Sequence, residues 1–336
     1  LVVLLYRGVK EKNSDMDNTK KRTGNIKYIL QSYGTIIALA AVIVLFSVIS
    51  PQSFFTLTNF INITRQISLL VMISLGATMV MSINEFDLSI GSMASLGGIM
   101  AALLAVSGVP IVLCFLIPIV ISFVIGWING WIVAKFRVLS FITTLGMSTV
   151  LSGVIYRLSG GATIFENIPK SFSWLGTTRL GRIPLLSLLM ILAVIIFWYL
   201  MRHTALGRKL YAIGGSEETS KISGINVKKY KNIAFAICSV MACITGMLIA
   251  SRVGSANTTA GDGYFLQSYA AVFIGCTASK KGIPNIIGTL IGAAILGILA
   301  NGLTMLQIPT YMQDIITGAI IILAVIAQKL GRGDSK

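Results

Sequence analysis

The chain has 336 residues, 55% hydrophobic and only 11% charged, with a formal net charge of +16 and a mean hydropathy of +0.86. A soluble domain carries roughly 25% charged residues, and hiding so large an apolar fraction from water would need one outsized core. A soluble enzyme or binding module is therefore excluded in favour of a polytopic membrane protein.

The first residues, LVVLLYRGVKEKNSD, begin without Met. Their apolar run, Leu1 to Leu5, is shorter than the roughly 7–15 residues of a signal-peptide core. Residues 1–15 read as upstream sequence ahead of a start at Met16, and residues 1–32 as a basic, solvated tail. Apolar stretches near the roughly 20 residues needed to cross a bilayer follow at 33–50, 60–83, 87–107, 109–134, 137–158, 183–201, 231–251, 264–279, 283–305 and 310–328. The expected fold class is an all-α polytopic membrane bundle of about ten helices, with one or more of them interrupted. Residues 33–328 form the transmembrane domain and 329–336 a C-terminal tail.

Alternating the loops with the N-terminus inside puts 21 of the 27 basic residues on one side. They lie in the tail, at Lys135 and Arg137, in the 202–231 segment, at Lys280 and Lys281, and beyond Lys329. This positive-inside asymmetry predicts both termini in the cytoplasm. It also accounts for the net charge, so nucleic acid is not expected as a partner.

Two polar segments are long. The outer one, residues 158–182, is rich in Gly, Ser and Thr and reads as a connector with interfacial aromatics. The inner one, RHTALGRKLYAIGGSEETSKISGINVKKYK (202–231), carries helix punctuation. Ser216 is placed as an N-cap, Glu217 and Glu218 fall in the first turn, and Gly224 can end the helix. Such a helix lies across the cytoplasmic face, and Ile222 with Ile225 gives it a small apolar edge suited to a groove on another protein. Glycines in GSMASLGG, GWING and GTLIGAAILG, about a turn apart, predict close helix packing.

The stretch SINEFDLSIGS, residues 82–92, places Glu85 and Asp87 between apolar spans without a flanking Lys or Arg. Two readings fit the residues alone. The carboxylates lie in a cytoplasmic turn, or Asp87 and Ser89 cap an interrupted helix at membrane depth, where free N–H groups and the helix dipole stabilise an acid. No catalytic set competes. His203 is the one histidine and ends a span, Cys114, Cys238, Cys243 and Cys276 form no CxxC pair, and no GxxxxGK[ST] phosphate loop occurs. The chain is therefore not expected to hydrolyse ATP or to bind a metal or cofactor. An ion-coupled secondary transporter also suits a broken helix bearing an acid.

The motifs FDLSIGSMASLGG, ITTLGMSTVLSGVIYRLSGG, ALGRKLYAIGGSEETSKISGINVKKYK, SANTTAGDGYFLQSYAAVFIGCTA and IIGTLIGAAILGILANGLTMLQIPTYMQDIITGAIIILAV occur in an order that resembles the permease subunit of ribose-type sugar ABC importers, over residues 35–328. The resemblance implies a bacterial inner-membrane protein that pairs with a second permease copy or a paralogue. It further implies a cytoplasmic ABC ATPase that binds ATP and Mg²⁺, and a periplasmic binding protein that delivers a monosaccharide or a related compound such as a nucleoside. It places the substrate pathway at Asn84, Glu85, Asp87, Ser89 and Ser92. Coupling to the ATPase falls to Gly207, Gly214, Gly215, Glu217, Glu218, Ser223 and Gly224. Where the family usually has Gly-Gly, this chain has Asn84 and Glu85, and Cys276, Lys280 and Lys281 stand at positions usually held by small residues.

Overall fold

The computed structural model describes residues 35–277 and 282–332. The basic tail expected over 1–32, Lys280 and Lys281, and the last four residues of the C-terminal tail lie outside the described residues.

Ten helices stand where the ten spans were expected. They are α1 (Thr35–Ile49), then, past the single turn α2 (Pro51–Phe54), α3 (Leu57–Met81), α4 (Ile90–Val106), α5 (Ile111–Phe136) and α6 (Ser140–Ser159). After a short α7 (Lys170–Thr177) come α8 (Leu185–His203) and, past two short helices between the spans, α9 (Ala205–Gly215) and α10 (Glu217–Ile222), the last four, α11 (Val227–Val253), α12 (Asp262–Thr277), α13 (Ile286–Met305) and α14 (Thr310–Arg332). Six of the described helices, α3, α5, α6, α8, α11 and α13, are long and apolar enough to cross a membrane alone. By contrast, the 17 residues of α4 and 16 of α12 rise about 25 Å and 24 Å, short of the roughly 30 Å hydrocarbon core.

The local chemistry explains where helices begin and end. Thr56, Ser216, Asn226 and Asn285 each accept a hydrogen bond from the backbone N–H three residues on, capping α3, α10, α11 and α13. Gly254, with φ +72°, closes α11 in the left-handed region where a side chain would be strained.

The core is built on α3 and α11, the most buried of the long helices, while α5, α6 and α8 turn apolar faces outward to lipid. Two halves share one order: long helix, break, short helix, then two more helices, as α3–α6 and again as α11–α14. The halves run in opposite directions. The C-terminal end of α3 meets α9 through Asn84 and Gly214, whereas it is the N-terminal end of α11 that meets α10 through Lys231 and Glu217. This is an inverted repeat of the kind found in transporters. The short helices cross each other, with Gly261 donating its N–H to Ser95 Oγ at 2.9 Å.

The glycine stripes do what their spacing predicted. Gly97 packs on the Cys243 backbone, Gly98 and Ala94 on Gly246, Gly126 and Gly130 of α5 on Phe235 and Asn232 of α11, and Gly288 of α13 on Gly275. Helix backbones in lipid gain contact only when they approach this closely.

The 158–182 loop is more than a connector, since it folds as α7 followed by a two-residue hairpin, β1 (Arg179–Leu180) and β2 (Ile183–Pro184). Phe172 of α7 is fully buried. The end of α11 holds α7 in place: Ser251 Oγ donates to Phe172 O at 2.7 Å and accepts from Gly176 N at 2.9 Å. The 202–231 segment likewise holds two helices, α9 and α10, where the capping signals marked only the second.

Gly246→Val should test the packing directly, because a Cβ there overlaps the Ala94 carbonyl. Overpacking of this kind costs about 1–3 kcal/mol, read as a lowered thermal unfolding midpoint in detergent. Gly153→Ala, whose new methyl meets nothing in the chain, should not lower the midpoint, since Ala is the better residue inside a helix.

Candidate functional site

Between α3 and α4 the chain leaves helical geometry for residues 82–89. Asn84 turns the backbone at φ +57°, and four consecutive amides then face away from any backbone acceptor. Side chains accept all four. Phe86 N donates to Ser140 Oγ at 3.2 Å, Asp87 N to Tyr269 Oη at 2.7 Å, Leu88 N to Thr144 Oγ1 at 2.9 Å and Ser89 N to Asp87 Oδ1 at 2.9 Å. Tyr269 returns its hydroxyl proton to Asp87 O at 3.1 Å, and its ring lies 5.5 Å from Phe86. An unpaired amide has no water to turn to inside a bilayer, so these partners are what permits irregular backbone here.

Asp87 and Ser89 are both fully buried. The N-cap position of α4 is held by Ser89, and its side chain makes no capping bond. Asp87 lies two residues before it and binds both the N–H and the hydroxyl of Ser89, the latter at 2.5 Å. Asp87 thus shapes the turn into α4 and does not itself occupy the cap. Ser89 Oγ also accepts from Asn129 Nδ2 of α5 at 3.1 Å. Asn129 is seven residues before the end of α5, which puts the start of α4 about 10 Å along that helix from its Phe136 end. One turn further on, Ser92 Oγ meets Ser148 Oγ at 2.7 Å and Ser152 Oγ at 3.5 Å across the α4–α6 seam. Asp87 Oδ2 and Asn129 Oδ1 are buried without a hydrogen-bond partner.

Asn84 and Glu85 go elsewhere. Asn84 Nδ2 donates to Gly214 O of α9 at 2.5 Å, and Glu85 Oε1 pairs with Lys231 Nζ at 2.6 Å. The same ammonium reaches Glu217 Oε2 of α10 at 2.8 Å, and Lys221 holds the other Glu217 oxygen at 2.5 Å. The five proposed pathway residues therefore divide, with Asp87, Ser89 and Ser92 inside the bundle and Asn84 and Glu85 on α9 to α11.

Of the residues assigned to coupling, Gly207 lets α9 turn tightly against the Met201 backbone at the end of α8, and Gly214 lets α9 lie on the Ser82 carbonyl. Lys209 Nζ donates to Tyr230 Oη at 2.8 Å and Tyr211 Oη to Pro284 O at 2.9 Å, fixing α9 between α11 and the start of α13. Burial drives the Tyr211 hydroxyl up to about 12. Gly215, Glu218, Ser223 and Gly224 are exposed, Gly224 turning the chain at φ +79°. Ile222 beside them is 84% exposed.

The residues that hold this site but were not singled out in the sequence are Ser140, Thr144, Asn129, Tyr269 and Lys231; all but Ser140 lie inside the quoted motifs, where nothing marked them as partners of the break. Ser140 and Thr144 did leave a signal, two hydroxyls four residues apart on one face of an apolar helix. Lys231 was counted only among the basic residues that set topology.

Tyr269→Phe should leave the buried Asp87 N–H without an acceptor and lower unfolding stability by about 1–3 kcal/mol, seen as a lowered thermal midpoint. Ser140→Ala should lower the midpoint as well, because it removes the acceptor of the Phe86 N–H. A second outcome concerns pH. Lys221 first, and Lys231 second, hold the Glu217 carboxyl down at about 2, from an ordinary 4.5. A depressed carboxyl stabilises the fold above its unfolded value and loses that stabilisation as pH falls through its folded value. Amide-exchange protection of α10 should therefore persist to about pH 4.5 and fall toward pH 2, modestly because Glu217 is partly solvated. Glu217→Gln should remove the dependence.

Comparison with known proteins places this geometry. The family model described as branched-chain amino acid transport system / permease component matches residues 59–325. The ribose import permease RbsC of Escherichia coli K12 is 38% identical over 300 residues, covering 88% of this chain and 93% of that one. The Bacillus subtilis ribose import permease is 33% identical, covering 93% and 97%, and the xylose transport system permease XylH of E. coli is 30% identical, covering 88% and 91%. With matches that run almost end to end and a bundle broken where the motifs predicted, the chain belongs to the transport-system permease family that includes the ribose import permeases.

Proposed function

We propose that this chain is the membrane-spanning permease of an ATP-driven sugar importer, with α9 and α10 as the elements that dock a partner ATPase. The observation that carries the reading is the joining of the break at 82–89 to α9 directly and to α10 through Lys231, while Ile222, Glu218, Ser223 and Gly224 on and just after α10 are exposed to another surface. An exposed apolar side chain on a capped surface helix fits a groove on a partner. An ion-coupled symporter has no use for such an element.

The face bearing α9 and α10 carries seven Lys and Arg between 202 and 231, which supports a cytoplasmic placement of this face and, with the basic residues of the tails, of both termini. ATP and Mg²⁺ then belong to the ATPase, and no cofactor to this chain. The α7 and hairpin face lies outside, where a binding protein delivers its cargo, and a second permease, identical or paralogous, completes the path.

The cargo class follows from relatives named for ribose, allose and xylose. Each is a polyol, and the hydroxyl seam of Ser92, Ser148 and Ser152 offers matching donors and acceptors. When α4 and α6 separate, hydroxyls that now bond one another can bond the sugar instead. Asp87 and Ser89 fix the start of α4 so that this seam keeps its register.

ATP hydrolysis by the permease co-purified with its ATPase, in lipid, tests this. A binding protein loaded with ribose, allose or xylose should stimulate hydrolysis with one of the three. Failure of any ATPase to co-purify, together with uptake that follows an ion gradient, would overturn it.

A further inference from the structure

The ion cluster at the inner end of the bundle joins three elements that are distant in sequence. Glu85 belongs to the break, Glu217 to α10 and Lys231 to the first turns of α11, with Lys221 closing the row. The signs alternate, Glu85, Lys231, Glu217, Lys221, so the row is neutral as a whole. Lys231 is its centre, and its side chain is only 9% exposed while serving two carboxylates at 2.6 and 2.8 Å. Ion pairs out in solvent are screened and contribute little, but a largely buried ammonium between two carboxylates is screened far less. It also resists the loss of either partner, because a buried charge left unpaired is costly.

On one side of this row lies α10, whose outer surface is free. On the other, the residues directly after Glu85 are held by Ser140 and Thr144 of α6, Tyr269 of α12 and, through Ser89, Asn129 of α5. Displacement of α10 is therefore passed to three membrane helices through a segment eight residues long. The Asn84 bond to Gly214 runs parallel to the ion row and keeps the break from sliding along α9.

We infer that Lys231 is a positioning residue for transport: with Glu85 and Glu217 it forms an electrostatic latch that carries motion of α10 into the α3–α4 break. The latch presupposes the importer reading above and adds a specific transmitting contact to it. Its work lies in conveying displacement. Attachment of the ATPase depends on the outer surface of α10, to which Lys231 and Glu85, at 9% and 17% side-chain exposure, do not belong.

The test uses the full transporter in proteoliposomes, with sugar imported per ATP hydrolysed as the main readout and ATPase co-purification as the control for assembly. Glu85→Gln cuts one arm and leaves Lys231 paired with Glu217, so the fold is spared. It should co-purify with the ATPase as the unmodified chain does, yet import at least about fivefold less sugar per ATP, the lower end of ordinary coupling between sites. Lys231→Met should lose coupling to a similar degree, and Lys231→Arg, which keeps the charge, should recover most of it. An unchanged ratio in Glu85→Gln would overturn the latch, as would a loss that merely tracks lost ATPase, since that would make the cluster part of the docking surface. Absence of any ATP-coupled uptake by the unmodified chain would instead overturn the importer reading itself.

Discussion

Backbone amides in lipid must find acceptors within the protein, and this constraint governs the rest of the structure. A helix meets it internally, and a break cannot. At residues 86–89 the four free amides are accepted by side chains from α6, α12 and the break itself. Three of those bonds are also ties to neighbouring helices, so the requirement that makes an interruption expensive turns it into a junction. Asp87 serves the same end. Its carboxylate takes the last free amide and the Ser89 hydroxyl, which fixes where α4 starts and, with it, where Ser92 meets Ser148.

Much of this was legible in the sequence because lipid restricts what a chain can do. The ten helices, the interruption near Asp87 and the glycine-lined contacts follow from apolar length, an unflanked acid and small residues a turn apart. Ser216, Glu217 and Gly224 announced α10 by capping chemistry alone. What escaped were contacts between elements far apart in the chain. Tyr269 lies 182 residues from Asp87, and nothing local to either marks the pair. Glu85 was assigned to the substrate pathway through the family resemblance, whereas its partner Lys231, 146 residues away, draws it to the face that bears α9 and α10. The helix α9 went unmarked because Thr204 makes no capping bond and its ends are glycines and a β-extended serine. Its helical form comes from tertiary anchoring through Lys209, Tyr211 and Gly214.

The two halves of the inverted repeat do not treat their breaks alike. In the second, residues 254–261 satisfy themselves largely through local turns. Asn257 Oδ1 accepts from Thr259 N, Asp262 N donates to Thr259 O, and one backbone bridge ties Ala256 to Ile164 of the outer loop. Only Gly261, bonded to Ser95, reaches another membrane helix in the way the first break does. The outer break is thus anchored mainly to itself and to the loop above it, the inner one to α5, α6, α9, α11 and α12.

That difference has a mechanical meaning. A segment closed by its own turns can shift as a unit while its neighbours stay in place, since few of its bonds cross to them. A segment held mainly by side-chain bonds to other helices must take those neighbours along or lose buried pairs at about 1–3 kcal/mol each. Force applied at the α9–α10 face therefore travels inward through the first break, and the second can yield at the opposite face without resisting it. A break tied stiffly to its neighbours at one face and a self-contained one at the other make the first face the one from which a small displacement is carried to the surrounding helices.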